Sequence, residues 1–246
     1  MSKKDHMPII DVTSLPNKAP TYDLHDLLEV GAHFGHHSRR WHPKMDEWIY
    51  GEKDGIHIFD LAKTAEQLTH AYNYAYQLGK EGKTLVFVGT KRQAREVIQN
   101  GAEQAGAMFI TSRWLGGLLT NWGQVSKSLK RMIEIEEGLK SGKYEGYTKY
   151  ERVQLEKEAD RYARFFGGVR SLKKRPDALF VIDPNREKVV ISEASVSNVP
   201  VIGLVDSNTD PRPIDLVIPA NDDAVKSIEF FVNQIADGYA AGKKGK

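Results

Sequence analysis

The chain contains no cysteine. That absence excludes disulfide frameworks, thiol nucleophiles, thiolate zinc sites and cysteine-ligated iron–sulfur clusters, so any chemistry must come from oxygen and nitrogen groups. No apolar run approaches the roughly 20 residues that span a bilayer, and residues 1–20 lack the continuous apolar stretch of a signal peptide. An excess of one charge is missing too: 35 Lys and Arg stand against 33 Asp and Glu, a formal +2 that by itself points to neither nucleic acid nor membrane. Nor does any strand lead into GxGxxG or GxxxxGK(S/T), the glycine patterns that wrap backbone amides round a phosphate. These absences predict a soluble, cytoplasmic protein whose charge has to be read locally.

What is present is length and rhythm. The 246 residues, 40% of them hydrophobic, suffice for one large domain with an insertion. Residues 1–20 and 241–246 are polar, punctuated by Pro or Gly and flanked by Lys, and are read as mobile tails around an α/β domain over 21–240. Leu24, Leu27 and Leu28 share one helix face, ending near Gly31 and Gly35. The aromatic and β-branched runs 48–50 and 56–59 flank Asp54-Gly55, a hairpin signal, and residues 60–78 read as a helix. Short apolar runs at 85–88, 108–110, 178–182, 201–205 and 216–218 then alternate with helical stretches, one of them from Lys91. The runs are too uniformly apolar to have a wet face, which is the pattern of parallel strands covered on both sides, a three-layer α/β fold. Asn221, Asp222 and Asp223 fit the N-cap and acidic first turn of a closing helix that runs to about Gly238.

The rhythm breaks once, over 120–166. Trp122, Val125, Leu129, Met132 and Leu139, then Leu155, Ala159, Tyr162 and Phe166, keep three-four spacing on either side of Gly138, Gly142 and Gly146. That pattern predicts an inserted antiparallel α-helical coiled-coil hairpin projecting from the domain, with Thr148 and Glu151 as the capping box of its second helix.

Charge collects on and just after the hairpin. Residues 120–175 carry fourteen Lys and Arg against eight Asp and Glu, which leaves the rest of the chain slightly acidic. Lys127, Lys130 and Arg131 lie on the first arm, and Arg170, Lys173, Lys174 and Arg175 follow the second. A second basic stretch holds Lys91, Arg92 and Arg95; a third holds Arg39, Arg40, Trp41, His42 and Lys44; Arg113 stands beside Trp114. Cations interleaved with aromatics suit phosphate contact plus base or ribose packing, although Lys and Arg also form the ordinary solvated cover of a core.

Enzymatic alternatives find less support. Asp183 and Asp206 each end a strand and with Asp210 make a candidate magnesium set beside a phosphate, but Asp next to Pro184 and Pro211 is an ordinary turn residue. His33, His36, His37 and His42 fall within ten positions, where capping or stacking histidines outweigh a metal site. No Ser-His-Asp set or paired catalytic carboxylates follow from spacing, so neither a catalytic residue nor a metal or other cofactor is expected.

Seven blocks, in order and nearly without gaps from Leu24 to Tyr239, resemble the ribosomal protein S2 family of the bacterial-type small subunit: LLEVGAHFGH, RRWHPKM, FVGTKR, RWLGGLLTNW, RPDALFVIDP, LVDSNTDP and VIPANDDA. The resemblance implies a flavodoxin-like parallel sheet with the inserted coiled-coil hairpin. It implies a structural, non-enzymatic role in translation on the cytoplasmic ribosome, with small-subunit rRNA and neighbouring small-subunit proteins, ribosomal protein S1 among them, as partners, and with neither membrane nor small-molecule substrate. It makes Arg39, Arg40, Lys44, Lys91, Arg92, Arg113 and Trp114 candidate rRNA contacts. His42 departs from the Asn usual before Pro-Lys-Met, and residues 1–20 exceed the common N-terminal length. The rival reading is a phosphate-handling enzyme on the same fold, using Lys91, Asp183 and Asp206 in a closed pocket at the strand ends.

Overall fold

The computed structural model describes residues 9–245. α1 (Leu24–Glu29) opens behind Asp23, whose carboxylate accepts the His25 amide, and a strand that periodicity did not reveal, β1 (Phe34–His37), follows it. β2 (Ile49–Lys53) and β3 (Ile56–Phe59) form the expected hairpin; Asp54 and Gly55 have φ of 53° and 76°, the two positive values that a two-residue type I′ turn requires. β1 adds antiparallel to β3 and completes a small sheet of order β1-β3-β2.

The chain continues through α2 (Leu61–Glu81), β4 (Leu85–Val88), α3 (Arg95–Ala105), β5 (Met108–Ile110), α4 (Trp122–Lys140), α5 (Lys149–Phe166), β6 (Ala178–Ile182), α6 (Lys188–Ser197), β7 (Val201–Val205), β8 (Leu216–Pro219) and α7 (Val225–Lys244). β4 to β8 pair in parallel in the order β5-β4-β6-β7-β8. Counted within that sheet the order is 2-1-3-4-5, the flavodoxin-like winding, which reverses direction between β4 and β6.

Both faces of this sheet are dry. Leu85, Phe87, Phe180, Ile202, Leu204 and Ile218 pack under α2, α3 and α7, while Val86, Val88, Leu179, Val181, Val201 and Val205 pack under α6, the loop after β5 and the base of the α4–α5 hairpin. Phe87 and Phe180 meet edge-on with ring centroids 5.4 Å apart. On the hairpin, Val125, Leu129, Met132 and Phe166 join the second cluster, whereas the more distal Ile135, Tyr144 and Ala159 are buried outside both clusters. The arm is therefore anchored at its base, and its far half packs on itself. Thr148 and Glu151 form the predicted capping box.

Several boundaries differ from expectation. α3 starts at Arg95 and not at Lys91, because residues 91–94 form a turn. Asp222 and Asp223 do not enter the first turn of α7; Asn221 Oδ1 accepts the Asp223 and Ala224 amides and turns the acids toward the end of β4. α7 passes Gly238 and reaches Lys244, since glycines allow it to lie directly on α2: a Cβ on Gly242 would collide with the Tyr76 carbonyl. Residues 241–244 thus belong to a helix, where a tail was expected. Residues 9–20, also expected as tail, lie against the body; Ile10 is buried, and the Lys18 and Ala19 amides both donate to Asn73 Oδ1 at 2.8 Å. The rest of both expected tails, 1–8 and 246, lies outside the described residues. Among the described residues, no helix is long and apolar enough to cross a membrane.

The fully buried Phe180 fills the first cluster. Phe180→Ala is expected to cost about 3–5 kcal/mol of folding stability, read as a lowered midpoint in urea titration.

Candidate nucleic-acid interface

Strand direction sorts the basic residues. Arg92 and Arg95 follow β4, and Arg113 follows β5, so all three lie at the carboxyl edge of the parallel sheet. Arg39, Arg40 and Lys44 join them, because the His42 amide donates to Ser207 O, just beyond β7, at 2.7 Å. Lys173, Lys174 and Arg175 instead precede β6 and sit at the opposite edge, where Lys174 Nζ bonds Asp177 Oδ1 at 2.7 Å and the Thr84 amide donates to Asp177 Oδ2. Lys127 and Lys130 are exposed on α4. The half-buried Arg131 is tied to Glu134 and Glu158, each at 3.6 Å, and Arg170 is paired with Glu136. The sequence reading missed Arg186 and Lys188, exposed after β6 on the same carboxyl edge; only the order of the strands brings them there.

Two candidates are not available as surface contacts. Lys91 reaches into the switch point between β4 and β6, and its Nζ lies 2.6 Å from Asp222 Oδ1, 2.6 Å from Asp223 Oδ1 and 3.4 Å from Asp183 Oδ2. Burial opposes its charge, but the three carboxylates overcome that and hold the ammonium above the ordinary lysine value. Asp222 is pushed up to about 8, first by burial and then by Asp206 and Asp183, against the pull of Lys91. The ammonium serves an internal acid cluster and is neutralised there.

Trp114 is the second: its side chain is buried and its Nε1 donates to Glu193 Oε1 at 3.3 Å, so no ring face is offered to a base. Glu193, on α6, also accepts the amides of Gly117 (2.7 Å), Leu119 (3.0 Å) and Thr120 (3.3 Å). Burial would raise its pKa, but these donors outweigh it and hold the carboxyl below the ordinary glutamate value. One carboxylate thereby fixes the loop that carries Arg113 and launches α4. The sequence signal for it was a Glu inside the apolar run VVISEASV, which the pattern reading passed over.

The four histidines disperse. His37 and His42 use Nδ1 to accept the amides of Arg39 and Lys44, and so act as turn caps; His33 packs on Phe34. His42 Nε2 also lies 3.9 Å from Asp210 Oδ2, whereas His36 meets the acid cluster: Nδ1 lies 2.9 Å from Asp206 Oδ1 and Nε2 3.4 Å from Asp223 Oδ2, and the hydrogen bond to Asp206 is the main cause of a raised imidazole pKa. His36, Asp206, Asp222 and Asp223 each offer one ligand atom, all within 4.8 Å of one another, and Asp222 Oδ2 is buried without a hydrogen-bond partner. One imidazole and three carboxylates are a donor set that could hold a divalent cation. Asp210, grouped with Asp183 and Asp206 on sequence, turns away to pair with Arg212 at 2.7 Å. A groove of about 620 Å³ at this edge lies between the turns after β6 and β7 and includes neither Lys91 nor the acid cluster.

A parallel sheet of this winding carries many activities, so the geometry alone leaves the kind of protein open. Comparison with known families decides it: the model of the family described as Ribosomal protein S2 matches residues 27–242, nearly the whole chain. The chain belongs to the ribosomal protein S2 family. Membership gives it a role in the small ribosomal subunit and in translation.

Two outcomes follow from the Lys91 cluster. Lys91→Met leaves Asp183, Asp222 and Asp223 without their shared cation and is expected to cost about 3–5 kcal/mol of stability, measured by urea denaturation. Asp222 holds its proton more tightly folded than unfolded, so the stability linked to it is complete in acid and is lost as pH rises through about 8. In chelator-treated protein, the urea midpoint of Asp222→Asn should therefore rise relative to the parent between pH 5 and pH 9. A difference that shrinks over that range would contradict the assignment.

Proposed function

We propose that the chain is a non-enzymatic constituent of the small subunit that binds its rRNA electrostatically, through the carboxyl edge of the sheet and the outer face of the hairpin. The observation that carries this reading is the state of the exposed cations. Among the described residues, no carboxylate lies within ion-pair distance of Arg39, Arg40, Lys44, Arg92, Arg95, Arg113, Lys127 or Lys130. Cations left without a carboxylate partner at one sheet edge and on one arm can neutralise phosphates and release counterions. Lys173 and Arg175 make a smaller second patch at the opposite edge, about 17 Å away by strand length. Specificity would come from the shape of folded RNA, since the five-stranded sheet is covered on both faces. The resemblance in the sequence blocks supports the further reading that the chain sits in the cytoplasmic ribosome and helps dock neighbouring proteins, ribosomal protein S1 among them.

The enzymatic alternative needed Lys91 at a phosphate. Its ammonium is already held by Asp183, Asp222 and Asp223, so the residue on which that alternative turned is engaged within the chain.

Small-subunit rRNA binding should weaken as salt rises. Replacing Arg39 and Arg40 together by Gln should lower affinity and make the plot of log K against log salt shallower by about one to two units, measured by filter binding over a salt series. Failure of the parent chain to associate with small subunits at low salt, or tighter binding in high salt, would overturn the proposal.

A further inference from the structure

The tip of the hairpin presents two aromatic rings on a held loop. The last turn of α4 is shaped to receive Tyr144: the ring packs over Gly138, where a Cβ would collide with it, and the residue is 5% exposed. Tyr144 in turn braces Tyr147. Their rings meet edge-on at 5.1 Å, and the Tyr147 amide donates to Tyr144 O at 3.1 Å. Tyr147 is nevertheless 48% exposed, and Tyr150, one step into α5, is 72% exposed. The capping box fixes the turn that carries Tyr150, and in doing so uses Glu151, whose Oε2 accepts from the Thr148 amide and hydroxyl.

Charge at the tip is unbalanced toward cations. Lys143 is paired with Glu134 at 2.9 Å, but Lys140, Lys149 and Arg152 are exposed, with no described carboxylate within ion-pair distance. Neither Tyr147 nor Tyr150 belongs to either cluster of the core.

We propose that Tyr147 and Tyr150 form a stacking platform for unpaired RNA nucleotides, with Lys140, Lys149 and Arg152 holding the adjoining phosphates. This rests on the rRNA-binding reading and adds to it a second mode of contact, ring on base. Exposed aromatic rings flanked by cations that lack a carboxylate partner suit single-stranded nucleic acid, whereas a protein partner of ordinary composition would leave three like charges uncompensated. The arm, about 27 Å long at 1.5 Å per residue, carries the platform away from the sheet edge, so the two contacts can engage separate stretches of one RNA.

The test uses the full chain and transcribed small-subunit rRNA at one fixed salt and over a salt series, with circular dichroism to confirm unchanged helix content. Tyr147→Ala with Tyr150→Ala should weaken binding about tenfold or more without altering the salt slope, because no charge is removed. Tyr147→Phe with Tyr150→Phe should bind like the parent. Lys149→Gln with Arg152→Gln should instead make the slope shallower. Undiminished binding by the Ala pair, or equal loss in the Phe pair, overturns the platform and leaves the rRNA-binding function standing. Absence of rRNA binding by the parent chain overturns both.

Discussion

The fold turns on one lysine. At the reversal of a doubly wound sheet two crossovers leave in opposite directions and open a crevice at the strand ends, the place where such folds ordinarily admit a ligand. Here the crevice is closed from within. Lys91, arriving from β4, gathers Asp183 from β6 with Asp222 and Asp223 from the turn after β8. Asp206 at the end of β7 holds the His36 backbone and ring, which fastens the small antiparallel sheet to the large one. A buried cluster of this kind is costly to assemble and more costly to break, so it fixes which strand ends meet.

With the crevice closed, the unpaired cations lie outside it. The carboxyl edge becomes a surface from which arginines and lysines of four separate segments point to solvent, and the chain makes its excursion into α4 and α5 from that same edge. Glu193 is the second constraint. By satisfying three backbone amides and an indole, it holds the loop between β5 and α4 from which the arm departs. Under the proposed function, a surface built this way would meet a rigid polyanion through the placement of its charges.

Much of this was legible in residues. Uniformly apolar runs such as LVFV and ALFVI announced strands buried on both faces, Asp54-Gly55 announced its turn, and Thr148 with Glu151 announced the start of α5. β1 escaped because Phe34–His37 is an edge segment with no apolar alternation. Lys91 and Trp114 differ from the other candidates for one shared reason. Their types are common at nucleic-acid surfaces, and burial, which cancels that role, comes from residues 131 and 79 positions away in the chain.

Local chemistry therefore determined the elements and their order, since helix faces, dry strands, turns and caps depend on neighbours within a few positions. The excess of positive charge on and after the hairpin was likewise fixed by composition. Only the tertiary structure decided which cations are free and which are spent, and which sheet edge each one occupies. Those outcomes depend on contacts between distant segments, because an ammonium facing solvent can bind a phosphate and the same group enclosed by three carboxylates cannot.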